Sequence, residues 1–173
     1  SFEWNGFGGT VYALVSARVN ITVSAVNDVP VLNDITKANN EDNALGLTAA
    51  DFIAAFVDVD GNSLSKIKIT SLPSNGTLQL SGVAVNINDE ILTSDIDNLS
   101  FVPNNNWNGS DSFEWNGFGG TAYALLSAKV NITVSAVNDA PTVANIYKSG
   151  LTNATITFID LEFAGAFADV DND

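Results

Sequence analysis

The amino-acid sequence predicts an all-β protein, a β-sandwich repeated in tandem. Three observations carry that reading: a long internal repeat, short alternating apolar runs between turn residues, and a core-forming composition with little charge. Of 173 residues, 46 % are apolar and 15 % charged, against about 25 % charged in an average globular chain. Ten Phe and that low charge exclude a disordered acidic tail.

The repeat is read directly. Ser1–Pro30 returns at Ser112–Pro141 with 26 of 30 positions identical, at a constant offset of 111. The offset continues without a gap to Asp58-Val59-Asp60 and Asp169-Val170-Asp171, although only eight of 32 positions agree between 31–62 and 142–173. A period of 111 residues is one whole domain, too long for a single solenoid unit. The expected organisation is the tail of one repeat at 1–28, a complete repeat at 29–139 and the head of a third at 140–173. In such a window on an array, the lack of a targeting segment carries no information.

Within the complete repeat the elements follow in order. Val31–Ile35 is a short extended run. Thr48–Phe56 is the exception to β: Thr48 and Asp51 are spaced as a capping box, and Phe52 and Phe56 lie four apart, so one or two helical turns are expected. Leu64–Leu72 alternates apolar and polar, the mark of a half-buried strand. Pro73–Gly76 is a turn by composition, and Ser81-Gly82 joins Thr77–Leu80 to Val83–Ile87 as a hairpin. Leu99–Val102, Ser112–Asn116 and a long Ala122–Ser135 complete the strands. Short strands at turn-punctuated spacing in a domain of this size read as an immunoglobulin-like sandwich.

Composition also narrows function. Twenty acidic against six basic residues give a net charge of −14, which excludes nucleic acid and anionic membrane surfaces as partners. No Cys and no His removes thiolate nucleophiles, soft-metal sites and the commonest general base. No uncharged apolar stretch reaches the roughly 18 residues of a membrane span. Glu3 and Glu114 sit between Phe and Trp on a strand, so alternation turns them to solvent and no catalytic role is expected. The chain is expected not to be an enzyme.

The acids are more informative. In a seven-stranded tandem domain the chain enters at one pole and leaves at the other. Strand parity puts Asn39–Asn43 and Pro103–Asp111 at the exit pole, and Asp58–Asn62 and Gly117–Thr121 at the entry pole. One junction then gathers Glu41 or Asp42, Asp111, Asn138-Asp139, and Asp169 and Asp171 of the next repeat. The other gathers Asn27, Asp28, Asp58 and Asp60. So many carboxylates in one crevice repel unless a cation sits among them. Calcium, a hard ion taking 6–8 oxygens in loose geometry, suits such a set. The Asp58 loop is no EF-hand, because Gly61 comes two positions early and Ile69 holds the place of the closing Glu.

These motifs resemble the cadherin calcium pattern and, more closely, the cadherin-like tandem repeats of giant bacterial surface adhesins. Asp58-Val59-Asp60 is similar to the cadherin Asp-Ala-Asp loop, Asn27-Asp28-Val29-Pro30 and Asn138-Asp139-Ala140-Pro141 to the interdomain linker, and Glu41-Asp42-Asn43 to the Pro-Glu-Asn motif. The resemblance implies a Greek-key sandwich, calcium ions at the junctions and an extracellular, cell-surface location. Ala25 and Ala136 replace a linker Asp, and Phe118-Gly119 replaces an acid before the last strand, which implies one or two ions per junction. Thr152 stands where Glu41 would be, so the junction after the third repeat is expected to bind calcium poorly.

The expected function is a calcium-stiffened spacer in a long extracellular bacterial adhesin or surface filament, touching neighbouring repeats of the same chain. The alternative is a glycan- or protein-binding domain of a secreted protein, centred on Trp107 and the Asn-rich loop. A more remote option is an accessory domain of a polysaccharide-degrading enzyme.

Overall fold

The computed structural model describes residues 1–171; the last two positions of the 140–173 segment lie outside the described residues. The chain opens with a hairpin, β1 (Phe2–Trp4) and β2 (Ala17–Val19), in register Phe2 to Val19. Next come β3 (Val31–Leu32), β4 (Ile35–Asn40), β5 (Leu45–Gly46), helix α1 (Ala49–Ala55) and β6 (Phe56–Val57). They are followed by β7 (Lys66–Ile69), β8 (Gly76–Leu80), β9 (Val83–Ala84) and β10 (Glu90–Leu92). A 3-10 turn (Thr93–Asn98) leads into β11 (Leu99–Pro103), β12 (Gly109–Phe118) and β13 (Ala128–Ser135). Finally β14 (Thr142–Val143), α2 (Asp160–Ala164) and β15 (Phe167–Ala168) repeat the start of the module.

Two sheets form the sandwich. One runs β10-β7-β12-β13-β4, the other β5-β11-β8-β9. Among the described residues every strand pairing is antiparallel except β13 with β4, which run parallel from Val130–Ile35 to Ser135–Asn40. Alternation along β12 and β13 turns Phe113, Trp115, Val130, Ile132 and Val134 inward, where they meet Leu78, Leu99 and Phe101 of the other sheet. Trp115 packs its edge on Phe52 of α1 at 4.9 Å between ring centres, and both are fully buried. The fold is the all-β sandwich the sequence predicts.

Helix α1 forms where the capping box stands. Asp51 N–H donates to Thr48 Oγ1 at 3.4 Å, and Thr48 N–H donates to Asp51 Oδ2 at 3.1 Å, so two otherwise orphan donors are satisfied. Lys37 of β4 closes the arrangement with an ion pair to Asp51 at 2.6 Å.

Three strand expectations need correction. The run Val31–Ile35 is two strands: β3 pairs with β6, then Asn33 donates to Ala55 O and the chain steps over to join β13 as β4. The long strand expected at Ala122–Ser135 starts only at Ala128. Residues before it fold into a tight turn, with Gly119 N–H on Ala122 O and Ala124 N–H on Gly117 O. Leu64–Leu72 shortens to β7 because Thr70 and Ser71 both donate to Glu114 O, off the ladder register.

Candidate metal centre

The first junction is built where the linker after β2 meets the top of the complete repeat. Asp28 N–H donates to Asp60 Oδ2 at 2.6 Å. The loop that presents Asp60 is closed by Asp58, whose Oδ1 accepts from Asp60 N–H at 2.9 Å and Asn62 N–H at 3.3 Å. Both are turn bonds of the kind short acidic side chains make to backbone donors downstream. Asp58 Oδ2 is buried and has no protein partner. Asn27 and Asn62 join side chain to side chain at 3.0 Å, and Thr121 of the β12–β13 turn also reaches Asn27 at 3.1 Å.

The second junction repeats part of this geometry. Asp139 N–H donates to Asp171 Oδ2 at 2.6 Å, and Asp171 N–H to Asp169 Oδ1 at 2.9 Å. Here the exit pole of the complete repeat adds its own acids. Glu41 is 1 % exposed, the sole buried charged side chain among the described residues, and its Oε1 accepts from Val137 N–H at 2.6 Å. Asp42 takes the left-handed conformation, φ 59°, and its Oδ1 accepts from Asn106 N–H at 3.1 Å. Asn138 turns its amide onto Asp139 O at 3.0 Å. A crevice of about 440 Å³ opens between the segments, lined by Asn106, Asp139, Thr142, Asp169 and Val170.

Electrostatics single out Asp139. Burial pushes its carboxyl above the usual 3.8, and the charges of Asp42, Asp171, Glu41 and Asp169 push it the same way. Acids from two separate stretches of chain, Glu41-Asp42 and Asp169 with Asp171, therefore face one group. Asp139 Oδ2, like Asp58 Oδ2, is buried without a protein partner. Unpartnered carboxylate oxygens in a concentrated negative field, with oxygen as the sole donor atom, fit a hard divalent cation. Among the described residues, no group of three or more carboxylates is already drawn together at coordinating spacing. The acids instead hold backbone N–H groups of the linker.

Asp111 stands apart from this set. Both its oxygens are taken by backbone donors: Ser74 N–H at 3.0 Å, Asn75 N–H at 2.7 Å and Ser112 N–H at 2.7 Å. It lies inside β12, facing the turn before β8, because the Asn-rich loop ends earlier than the parity argument assumed. That loop contributes Asn106, held in the left-handed region at φ 54°. Asn tolerates that conformation well, and the Asn104-Asn105-Asn106 run was its sequence signal. Trp107 is partly buried and packs against the sandwich core.

These features define a β-sandwich module with acidic segments packed at its two ends. The family model for the cadherin-like domain matches residues 26–135, and the chain belongs to that family. Cadherin-like domains generally bind calcium, associate with neighbouring repeats and act in adhesion or as spacers. No curated protein matches the chain. Among solved structures, an endo-fucoidan hydrolase of glycoside hydrolase family 107 aligns with 66 % of this chain at 23 % identity and a TM-score of 0.38. The chain spans 15 % of the length of that enzyme. No described helix is long and apolar enough to cross a membrane.

Proposed function

We propose that the chain is a window on a tandem array of calcium-stiffened spacer repeats in an extracellular bacterial surface adhesin, and that it catalyses no reaction. In this reading 1–28, 29–139 and 140–173 are the tail, body and head of successive repeats. Glu41, Asp139, Asp169 and Asp171 hold calcium at the second junction, and Asp28, Asp58 and Asp60 hold it at the first. The bound ion supplies positive charge that relieves repulsion among carboxylates of two adjoining repeats, and so fixes the angle between them. The carrying observation is Asp139: a buried, unpartnered oxygen on a linker residue that faces acids from both sides of the crevice. Glu41 acts beneath it, holding the linker through Val137 N–H. For an extracellular site of this kind the dissociation constant is about 10⁻⁴–10⁻³ M, filled by millimolar external calcium and empty in cytosol.

Calorimetric titration of the whole chain with calcium tests the reading. Asp171→Ala and Glu41→Ala should each abolish or strongly weaken binding at the second junction, although the two residues are 130 apart in sequence. Asp111→Asn should leave it intact. Absence of any saturable heat below about 10 mM calcium, well above the expected range, would sink the proposal.

A further inference from the structure

The hairpin that closes the complete repeat, β12 with β13, sits between two outer strands. β12 pairs with β7, Trp115 opposite Ile69, and β13 pairs with β4, Val130 opposite Ile35. Every apolar side chain that this hairpin and its turn bury recurs unchanged 111 positions earlier, Phe113 as Phe2, Trp115 as Trp4 and Val130 as Val19 among them. The four differences between 1–30 and 112–141 stay out of the core: Leu126, Lys129 and Ala140 are exposed, and Ala122 is half-buried in the turn. The front half of the module varies far more, with eight of 32 positions shared, yet the shared ones include those that meet the hairpin. Ile35 recurs as Ile146 and Phe52, which packs on Trp115 at 4.9 Å, as Phe163. Phe56, which lies against Gly117, recurs as Phe167. Among the described residues β1 pairs with β2 alone, and Phe2 and Trp4 are exposed.

We propose that β1–β2 is an exchangeable copy of β12–β13, which takes their place in the sandwich of a second copy of this chain, with Trp4 on Phe52 and Val19 beside Ile35. No step of this exchange involves a cation. Its own repeat is a poor host for the hairpin. The parallel pairing with β4 would leave Ser24, the counterpart of Ser135, beside Asn40, at the far end of the strand from the start of the repeat. Residues 25–30 span about 25 Å at most. They would have to run back along the sandwich, giving up the bond from Asp28 N–H to Asp60. A hairpin lent to a second copy keeps that bond, because its linker still enters its own repeat. The two hairpins offer the same core, so concentration decides between them. The resident one is tethered, with an effective concentration of the order of 1 mM. Wild type is therefore monomeric in dilute solution and swaps as the protein approaches that value.

Sedimentation velocity on the 173-residue chain tests this. Trp115→Ala handicaps the resident hairpin and leaves Trp4 whole in the copy. Loss of that ring from a core shifts the competition at least about a hundredfold. The variant should therefore dimerise near about 10 µM, where wild type is a monomer. Its thermal melt should rise with concentration, the full loss appearing in dilute solution alone. Adding Trp4→Ala handicaps both hairpins alike and should restore the monomer at about 10 µM. Trp115→Phe, which keeps an aromatic ring in the core, repeats the comparison with a milder handicap and should dimerise at a concentration between those of Trp115→Ala and wild type. A Trp115→Ala chain that stays monomeric up to about 100 µM, folded or not, would overturn the exchange, since that is well above the expected threshold. Association that persists undiminished when Trp4→Ala is added would overturn it as well, because another surface would then be joining the copies.

Discussion

Residues 1–30 and 112–141 are the same sequence at 26 of 30 positions, and they do not have the same structure. Their turns agree closely. Phe7 and Tyr12 stack at 4.8 Å and 52°, Phe118 and Tyr123 at 5.0 Å and 53°. Asn5 and Asn116 each donate a side-chain amide to the carbonyl eight residues on, at 3.0 Å in both. The strands differ. β1 is three residues long and pairs with β2, whereas its counterpart β12 is ten residues long and lies between β7 and β13. Phe2 and Trp4 are 55 % and 53 % exposed; Phe113 and Trp115 are fully buried. The turn is therefore written locally, through its glycines and the Asn side chain that staples it. Strand length is not: it depends on neighbours that supply hydrogen bonds and an apolar face.

Substituting equivalent positions should sharpen this contrast, and the widest gap belongs to tryptophan. Trp115→Ala removes the ring that closes the core on Phe52 and should cost about 3–5 kcal/mol in urea unfolding of the complete repeat. Trp4→Ala should shift the same transition by no more than about 0.5 kcal/mol. Comparable losses at both positions would mean that the first hairpin is packed as tightly as the second.

The glycines come next. A methyl added at Gly117 would lie 2.9 Å from Phe56 Cδ2 and 3.1 Å from Leu32 Cδ2 and Leu64 Cδ1. At Gly6 its nearest neighbour would be Trp4 Cζ3 at an ordinary 3.6 Å. Gly117→Ala should therefore destabilise the repeat by about 1–2 kcal/mol through overpacking, with Gly6→Ala close to neutral. Thermal melts of the two variants, run side by side, distinguish them.

The smallest effect concerns the helix clamp, which also recurs: Lys37 pairs with Asp51, and Lys148 with Glu162, both at 2.6 Å. At Asp51, burial raises the carboxyl pKa, but the Lys37 ammonium and the Thr48 hydroxyl and N–H outweigh it, and the group titrates below its ordinary 3.8. A lowered folded-state pKa means that the stabilisation is present above 3.8 and fades as pH falls through the folded value. The difference in melting temperature between wild type and Asp51→Asn should thus shrink on acidification below that point. Glu162→Gln should leave the melt unmoved at every pH, because α2 covers no comparable core: Phe163 is 56 % exposed where Phe52 is 0 %. A gap for Asp51→Asn that stays constant from neutral pH to strong acid would remove the clamp as a source of stability.

Legibility followed the same division between local and distant causes. The capping box at Thr48 and Asp51, the hairpin at Ser81-Gly82 and the offset of 111 are written in contiguous residues, and each could be read there. The step of the chain from β3 to β4 was not legible, since it depends on which sheet edge accepts Ile35 after Asn33 bonds to Ala55. Parity indicated that linker and loop acids would share a pole, and Asp139 does face Glu41, Asp42, Asp169 and Asp171. It misassigned Asp111 by a few residues, enough to move that side chain from the crevice to the turn before β8. The contribution of Thr121 was hidden because a lone hydroxyl in a glycine turn has no distinctive spacing.

The parallel pairing of β4 with β13 has a mechanical consequence. β4 lies near the entry of the complete repeat and β13 near its exit, with six residue pairs between them. Tension transmitted along the chain draws the start of β4 one way and the end of β13 the other, along the strand axis. The ladder is loaded in shear, so its bonds are strained together and must fail together; a hairpin pulled from its open end parts one bond at a time. A repeat tied in this way resists extension until the whole ladder yields, a property set by strand direction alone and independent of how the junctions are held.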